Sequence, residues 1–416
     1  MGKFFGMIKN LGMALAIGLV VGVVSVLFNL VIEGGVELSK VILLNQKNYY
    51  FLLPFTGAML TMGIYGLYLK DDHTGLGIVQ VLIELEQIKT HLMLPFRVFI
   101  RVVSAMITLI FGFSAGRFGP IVHLGAAVGS NAGYYMKLSS SHVRLLIGCG
   151  AAAAIAAVFK MPLFAAVFVL EVLYKKQFAN YFAPVVLSAV VANLLGNYFQ
   201  GPMPVFDFAY EQGFVLNDLL VFTGFGLLMG VVGILYILSI NNFTELFGKL
   251  GNVYIRLAVG GLIIAVIGLF FSLNFELHEN TTSRIMSGEF EIGVLVAIGF
   301  VKMIATGITL GSGFVGGNFY PGITIGAGIG MAFGKIIEPA GENQIFGVLG
   351  MGALISSYLN APIAGIVWIL EYSRHFDWMI PALIVCSMSV SVTYHLLGKD
   401  IFTKTYESAI DQMRLG

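Results

Sequence analysis

Apolar runs of about 20 residues, the length that crosses a ~30 Å hydrocarbon core, recur along this chain. Residues 11–33 are apolar apart from Asn29 and Glu33, and they exceed the roughly 7–15 residues of a signal-peptide core, so they read as a retained first helix. Further runs near 51–69, 94–113, 180–198, 215–240, 253–273, 291–310 and 378–397 each predict a spanning helix. Polar stretches near 70–92, 199–212 and 274–290 separate them, the last with Glu276, His278, Glu279 and Arg284. Two stretches, 115–175 and 311–372, behave differently. Gly, Ala, Ser and Pro cut them into apolar pieces that read as too short to span alone. Such pieces are tolerated in a bilayer only where protein or a water-filled cavity satisfies the freed backbone groups. The pattern predicts an all-α integral membrane protein with broken and re-entrant helices.

The two broken stretches share one layout. Gly116, Pro120, Gly125, Pro162 and Glu171 in the first match Gly317, Pro321, Gly326, Pro362 and Glu371 in the second. The residues running into each Glu agree in kind, Val167-Phe168-Val169-Leu170 against Val367-Trp368-Ile369-Leu370. A duplicated apolar unit interrupted by Gly and Pro is the sequence sign of a transporter built from two repeats with its site at their interface. The repeats are expected at about 11–200 and 213–410 within one transmembrane domain, 1–416, with no soluble domain.

Composition agrees with that class. Hydrophobic residues make up 58% of the chain and charged residues 11%, against about 45–50% and about 25% in soluble domains. The formal net charge of +1 leaves no basic surplus for nucleic acid. Lys3 and Lys9 favour a cytoplasmic N-terminus, although Lys40, Lys47, Arg97 and Arg101 blur the next loops. Cys149 and Cys386 lie in apolar runs and read as buried small hydrophobes. No metal-ligand pair and no nucleophile beside a base stands at a suitable spacing, so neither an enzyme nor a cofactor is expected.

The chemistry concentrates at two segments, Gly116-Arg117-Phe118-Gly119-Pro120 and Gly316-Gly317-Asn318-Phe319-Tyr320-Pro321. Proline fits the first turn of a helix, where its missing N–H is harmless, and the glycines let a ligand approach the backbone. Each helix start carries about half a positive charge and free N–H groups. Half a charge at ~5 Å from a monovalent anion, at an effective dielectric near 20, contributes about 1.7 kcal/mol. Two give roughly 3 kcal/mol, millimolar-scale binding that is weak enough to release an ion. The alternative is that these glycines serve close helix packing.

Gly116-Arg117-Phe118-Gly119-Pro120 resembles the Gly-Arg-Glu-Gly-Pro signature of the CLC chloride channels and transporters. Gly311-Ser-Gly-Phe-Val-Gly-Gly-Asn-Phe-Tyr-Pro321 is similar to their second signature, Gly-x-Gly-x-x-Gly-Gly-x-Phe-x-Pro. The resemblance covers nearly the whole chain. It implies the CLC inverted-repeat helical fold, a homodimer in the cell membrane with one pathway per subunit, and no cytoplasmic CBS domain. It also implies that Tyr406 matches the anion-coordinating tyrosine, with Tyr394 as a nearby competitor.

Departures from the family pattern bear on mechanism. The gating glutamate of the first signature is Phe118, which can neither take up a proton nor compete for an anion site. A carboxylate ~4 Å from an anion would repel it by about 4 kcal/mol at a dielectric of 20, a term absent here. The second, cytoplasmic-side glutamate of proton-coupled members is Val172, directly after Glu171. Gly75-Leu76-Gly77-Ile78-Val79 resembles the Gly-Ser-Gly-Ile-Pro loop but lacks its serine hydroxyl. Fluoride exporters also depart from that loop, yet Asn318 and Tyr320 are not the Glu and Thr those exporters show.

The expected function is therefore passive, channel-like conduction of chloride or a similar small anion. Leu76, Gly77, Ile78, Gly116, Phe118, Gly119, Phe319, Tyr320 and Tyr406 form the expected pathway, Phe118 the gate, and Arg117 the support of its loop. His123 and Glu171 are the candidates for proton handling, with Glu171 also readable as a structural residue at a helix end. A proton-coupled chloride or fluoride antiporter and a non-conducting membrane sensor are the alternatives.

Overall fold

The computed structural model describes residues 2–43, 52–68, 77–87, 93, 95–174, 178–202, 216–275, 278–338, 343–398 and 400–403. Among them the regular elements are helices, with one isolated β-bridge between Gly116 and Gly317. The first eight helices are α1 (Gly2–Leu43), α2 (Leu52–Tyr68), α3 (Ile78–Gln87), α4 (Pro95–Ile110), α5 (Phe118–Tyr135), α6 (Ser140–Phe159), α7 (Pro162–Phe168) and α8 (Phe178–Gln200). Then come α9 (Leu216–Gly248), α10 (Val253–Phe270), α11 (His278–Met286), α12 (Ile292–Gly311), α13 (Phe319–Ile337), α14 (Gln344–Leu359), α15 (Pro362–Ser373) and α16 (Met379–Leu397).

Packing follows the same scheme in both sets: α5 lies on α6 as α13 lies on α14, α1 on α8 as α9 on α16, and α2 meets α10. Seven described helices are long and apolar enough to cross a membrane, and the chain is a multi-pass membrane protein. One of these is α6, inside the stretch expected to be too short to span. Its 20 residues are rich in Ala and Gly and almost wholly buried, so small residues stood where large apolar ones usually mark a span. Two short helices, α3 and α11, occupy stretches expected to be polar loops. In α3, Ile78, Val79, Val81 and Leu85 are buried on one face, and the buried Glu84 carboxylate accepts a hydrogen bond from Ser130 Oγ at 2.9 Å.

Backbone chemistry sets the breaks. Helix α6 ends at Lys160 and α14 at Asn360, both in the left-handed conformation (φ 58° and 53°), the common way to terminate a helix. Two residues later Pro162 and Pro362 open α7 and α15 at the position where a missing N–H is harmless. Glycines then set the spacing. A Cβ at Gly125 would collide with the Gly150 carbonyl, and one at Gly326 would crowd the Gly350 carbonyl. These two glycines of the repeated pattern therefore serve close helix packing.

Candidate functional site

Where the two broken stretches meet, Gly116 N–H donates to the Gly317 carbonyl at 2.6 Å and Gly317 N–H to the Gly116 carbonyl at 2.7 Å. The approach needs glycine on both sides. A Cβ at Gly116 would lie 2.9 Å from Tyr320 Cβ, and one at Gly317 2.7 Å from Gly119 N. Each chain enters a helix two residues later, α5 at Phe118 and α13 at Phe319, so two positive helix ends are neighbours. A third start abuts them: Gly77, at φ 59°, packs against the Gly119 carbonyl so closely that only glycine fits, and Ile78, 1% exposed, opens α3.

The space between the starts is filled by aromatic rings. Phe118 and Phe319 are stacked, with centroids 4.1 Å apart and planes 16° from parallel, and they are 0% and 1% exposed. Phe159 and Phe168 stand edge-on to Phe118 at 5.3 and 4.8 Å, and Trp368 stands edge-on to Phe319 at 5.4 Å. Phe164 completes the cluster, 5.5 Å from Phe319. Edge-to-face contacts place positive ring edges on negative faces, which fixes the rings relative to each other without any ionised group.

Arg117, the residue before Phe118, is buried, with its side chain 6% exposed. Its guanidinium lies 3.6 Å from the Glu33 carboxylate on α1 and 5.8 Å from the Tyr320 ring centre. Tyr320 in turn stacks on Phe159 at 4.8 Å. The arginine thus ties the start of α5 to α1 and α13.

The two candidates for proton handling are held in different ways. His123 is 5% exposed on α5 and engaged with a neighbouring group; five residues after Phe118, it points about 140° around the helix axis from it. Glu171 lies in a π-helical turn, Val169–Tyr174, after α7. Its two oxygens accept Ile363 N–H at 3.0 Å and Ala364 N–H at 2.7 Å, the opening turn of α15. Glu371 on α15 returns the arrangement, accepting Leu163 N–H at 3.0 Å and Phe164 N–H at 2.6 Å in α7. Each carboxylate satisfies N–H groups left free at the other helix's start.

Of the expected pathway residues, the fold brings Gly77, Ile78, Gly116, Phe118, Gly119, Phe319 and Tyr320 together. Leu76 and Tyr406 lie outside the described residues. Phe159, Phe164, Phe168, Trp368 and Glu371 were not among the expected site residues. Phe168 and Trp368 had a legible signal, an aromatic at the same place in both copies of the repeated segment.

A family profile described as voltage-gated chloride channel matches residues 57–394. The H(+)/Cl(−) exchange transporter ClcA of Klebsiella pneumoniae is 27% identical over 418 residues, covering 94% of this chain and 87% of that one. The solved structure of a slow cyanobacterial Cl−/H+ antiporter superposes with a TM-score of 0.87 at 22% identity, over 98% of this chain and 99% of that one. A CLC-type fluoride/proton antiporter superposes at 0.84, also with 22% identity, over 96% and 98%. With the profile spanning most of its length and the fold shared end to end, the chain belongs to the voltage-gated chloride channel (CLC) family.

Proposed function

We propose that this CLC-type anion transport protein conducts chloride or a similar small anion passively, with Phe118 and Phe319 as an apolar gate. One observation carries the reading. The pathway position that resembles the family's gating glutamate holds a phenyl ring, and that ring stacks on Phe319 at the joined helix starts. A ring cannot be protonated, so its movement can open the path without moving a proton. Apolar constrictions of this kind gate by rotation or dewetting. When the rings part, the neighbouring starts of α5 and α13 offer backbone N–H groups and about half a positive charge each to an anion. Gly77, Ile78, Gly116, Gly119, Phe319 and Tyr320 line the pathway in this reading, together with Leu76 and Tyr406. The two repeats, about 11–200 and 213–410, each supply one helix start, and the protein works as a homodimer in the cell membrane.

Efflux from liposomes carrying the purified protein tests this, with external pH followed under a chloride gradient and then a fluoride gradient. Passive conduction requires valinomycin for sustained efflux and leaves the external pH unchanged. Silence for both ions would refute transport and favour a blocked sensor.

Proton-coupled exchange of chloride or fluoride is the second reading, favoured by the names of the relatives and structural neighbours. It needs a proton carrier other than residue 118, with His123 the nearest candidate. Proton uptake tied to anion efflux would establish it.

A further inference from the structure

Two buried donors beside the start of α13, Asn318 Nδ2 and Tyr358 Oη, find no acceptor among the described residues. Asn318, the residue before the helix, is 2% exposed, and its amide Nδ2 finds no hydrogen-bond partner among the described residues. Tyr358, at the C-terminal end of α14, is 0% exposed, and its hydroxyl is likewise unpartnered among them. Both are held close to the opening turn. The Asn318 carbonyl accepts hydrogen bonds from Tyr236 Oη at 2.7 Å and from Gly322 N–H at 3.1 Å. Tyr236 stands edge-on to Tyr358, with ring centroids 5.4 Å apart. Tyr358 lies against Gly322 in the first turn of α13: a Cβ there would meet Cε1 at 3.1 Å and Oη at 3.3 Å.

A buried polar group left unpaired is costly, so an orphan in a packed interior calls for a missing partner. Here the groups needing one are an amide N–H and a phenol O–H, beside a helix start whose own first N–H groups are free and whose dipole is positive. Donors and dipole ask for the same thing, a small anion. The positive helix end disfavours a cation, the Asn318 carbonyl is already taken by Tyr236 and Gly322, and an apolar ligand would leave both donors unsatisfied.

We propose that Asn318 Nδ2 and Tyr358 Oη are side-chain ligands of the transported anion at the start of α13. This rests on the reading of the chain as an anion conductor and adds to it a selectivity device. Side-chain donors favour compact, strongly accepting anions such as chloride over diffuse ones such as thiocyanate, whereas a bare helix end discriminates less.

The test is calorimetric titration of chloride and of thiocyanate into the purified full-length protein, compared with Y358F and N318L. Tyr358→Phe removes one oxygen and keeps the ring, so it reports on the hydroxyl alone. Chloride affinity is expected to fall about 10-fold or more in each variant, while thiocyanate affinity changes less. Crystals soaked in bromide are expected to show an anomalous peak within hydrogen-bond distance of both groups. Wild-type binding that persists unchanged in both variants overturns this assignment and leaves the conduction reading standing. A wild-type protein that neither binds nor moves any of these anions overturns both.

Discussion

The rings of Phe118 and Phe319 lie parallel within 16° and 4.1 Å apart, one from the start of each of two helices that face each other across the joined Gly116 and Gly317. In the proposed reading this pair closes an anion path between the helix ends by packing alone. Phe118→Ala is therefore expected to raise chloride efflux at least 10-fold, measured in liposomes. The same change leaves a cavity in the aromatic cluster and is expected to lower stability by about 3–5 kcal/mol. Unchanged efflux in a folded Phe118→Ala protein would remove the gate role from this residue.

Phe118→Glu tests the same position by charge. A carboxylate about 4 Å from an anion opposes it by about 4 kcal/mol at a dielectric near 20, and protonation lifts the opposition. Efflux through this variant should be low at pH 7.5 and rise as the pH falls through the carboxyl's titration. Wild-type efflux, with no ionisable group at residue 118, should lack that step. The check is the ratio of efflux rates at pH 4.5 and 7.5 in the two proteins.

Glu171 and Glu371 hold α7 and α15 together by exchanging carboxylates, each accepting two backbone N–H groups of the other helix's first turn. Glu171→Gln keeps the shape but leaves one uncharged acceptor oxygen, so one N–H loses its bond and faces the amide NH2 while the other keeps a weaker one. Hydrogen bonds to charged groups are worth about 1.5–3 kcal/mol each, so a loss of about 2 kcal/mol in unfolding free energy is expected. Glu371→Gln should behave alike, with anion flux per folded protein unchanged in both. A variant of normal stability and altered flux would instead place Glu171 in the transport path.

Helix spacing gives a prediction of a different kind. Gly125 and Gly326 occur at corresponding places in the two repeats, and each faces a backbone carbonyl on its partner helix. Valine at either position would force α5 from α6 or α13 from α14. Both variants should fail to yield monodisperse protein in size-exclusion chromatography, while Gly224→Val, with open space around the position, should be tolerated.

Much of this architecture was legible in the sequence because a bilayer imposes length and polarity on every span. The run near 253–273 became α10 at Val253–Phe270, and that near 291–310 became α12 at Ile292–Gly311. What failed to show were elements that break those rules for local reasons. Helix α6 reaches spanning length with Ala and Gly, and α3 hides a buried Glu84 that looks like loop polarity until Ser130 is placed beside it. The two helix starts were readable from Gly and Pro, since their roles there are conformational. The stacking of Phe118 on Phe319 was not, because it depends on how two segments about 200 residues apart are brought together. The same holds for the carboxylate exchange: the repeat displayed Glu171 and Glu371 as equivalents without saying that each caps the start of the other's helical segment.

The central claim is that anions move here without protons. The most direct measurement is the potential of zero net flux in proteoliposomes, set by valinomycin and potassium at a fixed chloride gradient, while the pH gradient is varied. Passive conduction predicts a zero-flux potential equal to the chloride equilibrium potential at every pH gradient. A zero-flux potential that shifts with the pH gradient would show that protons are coupled to the anion and would contradict the account.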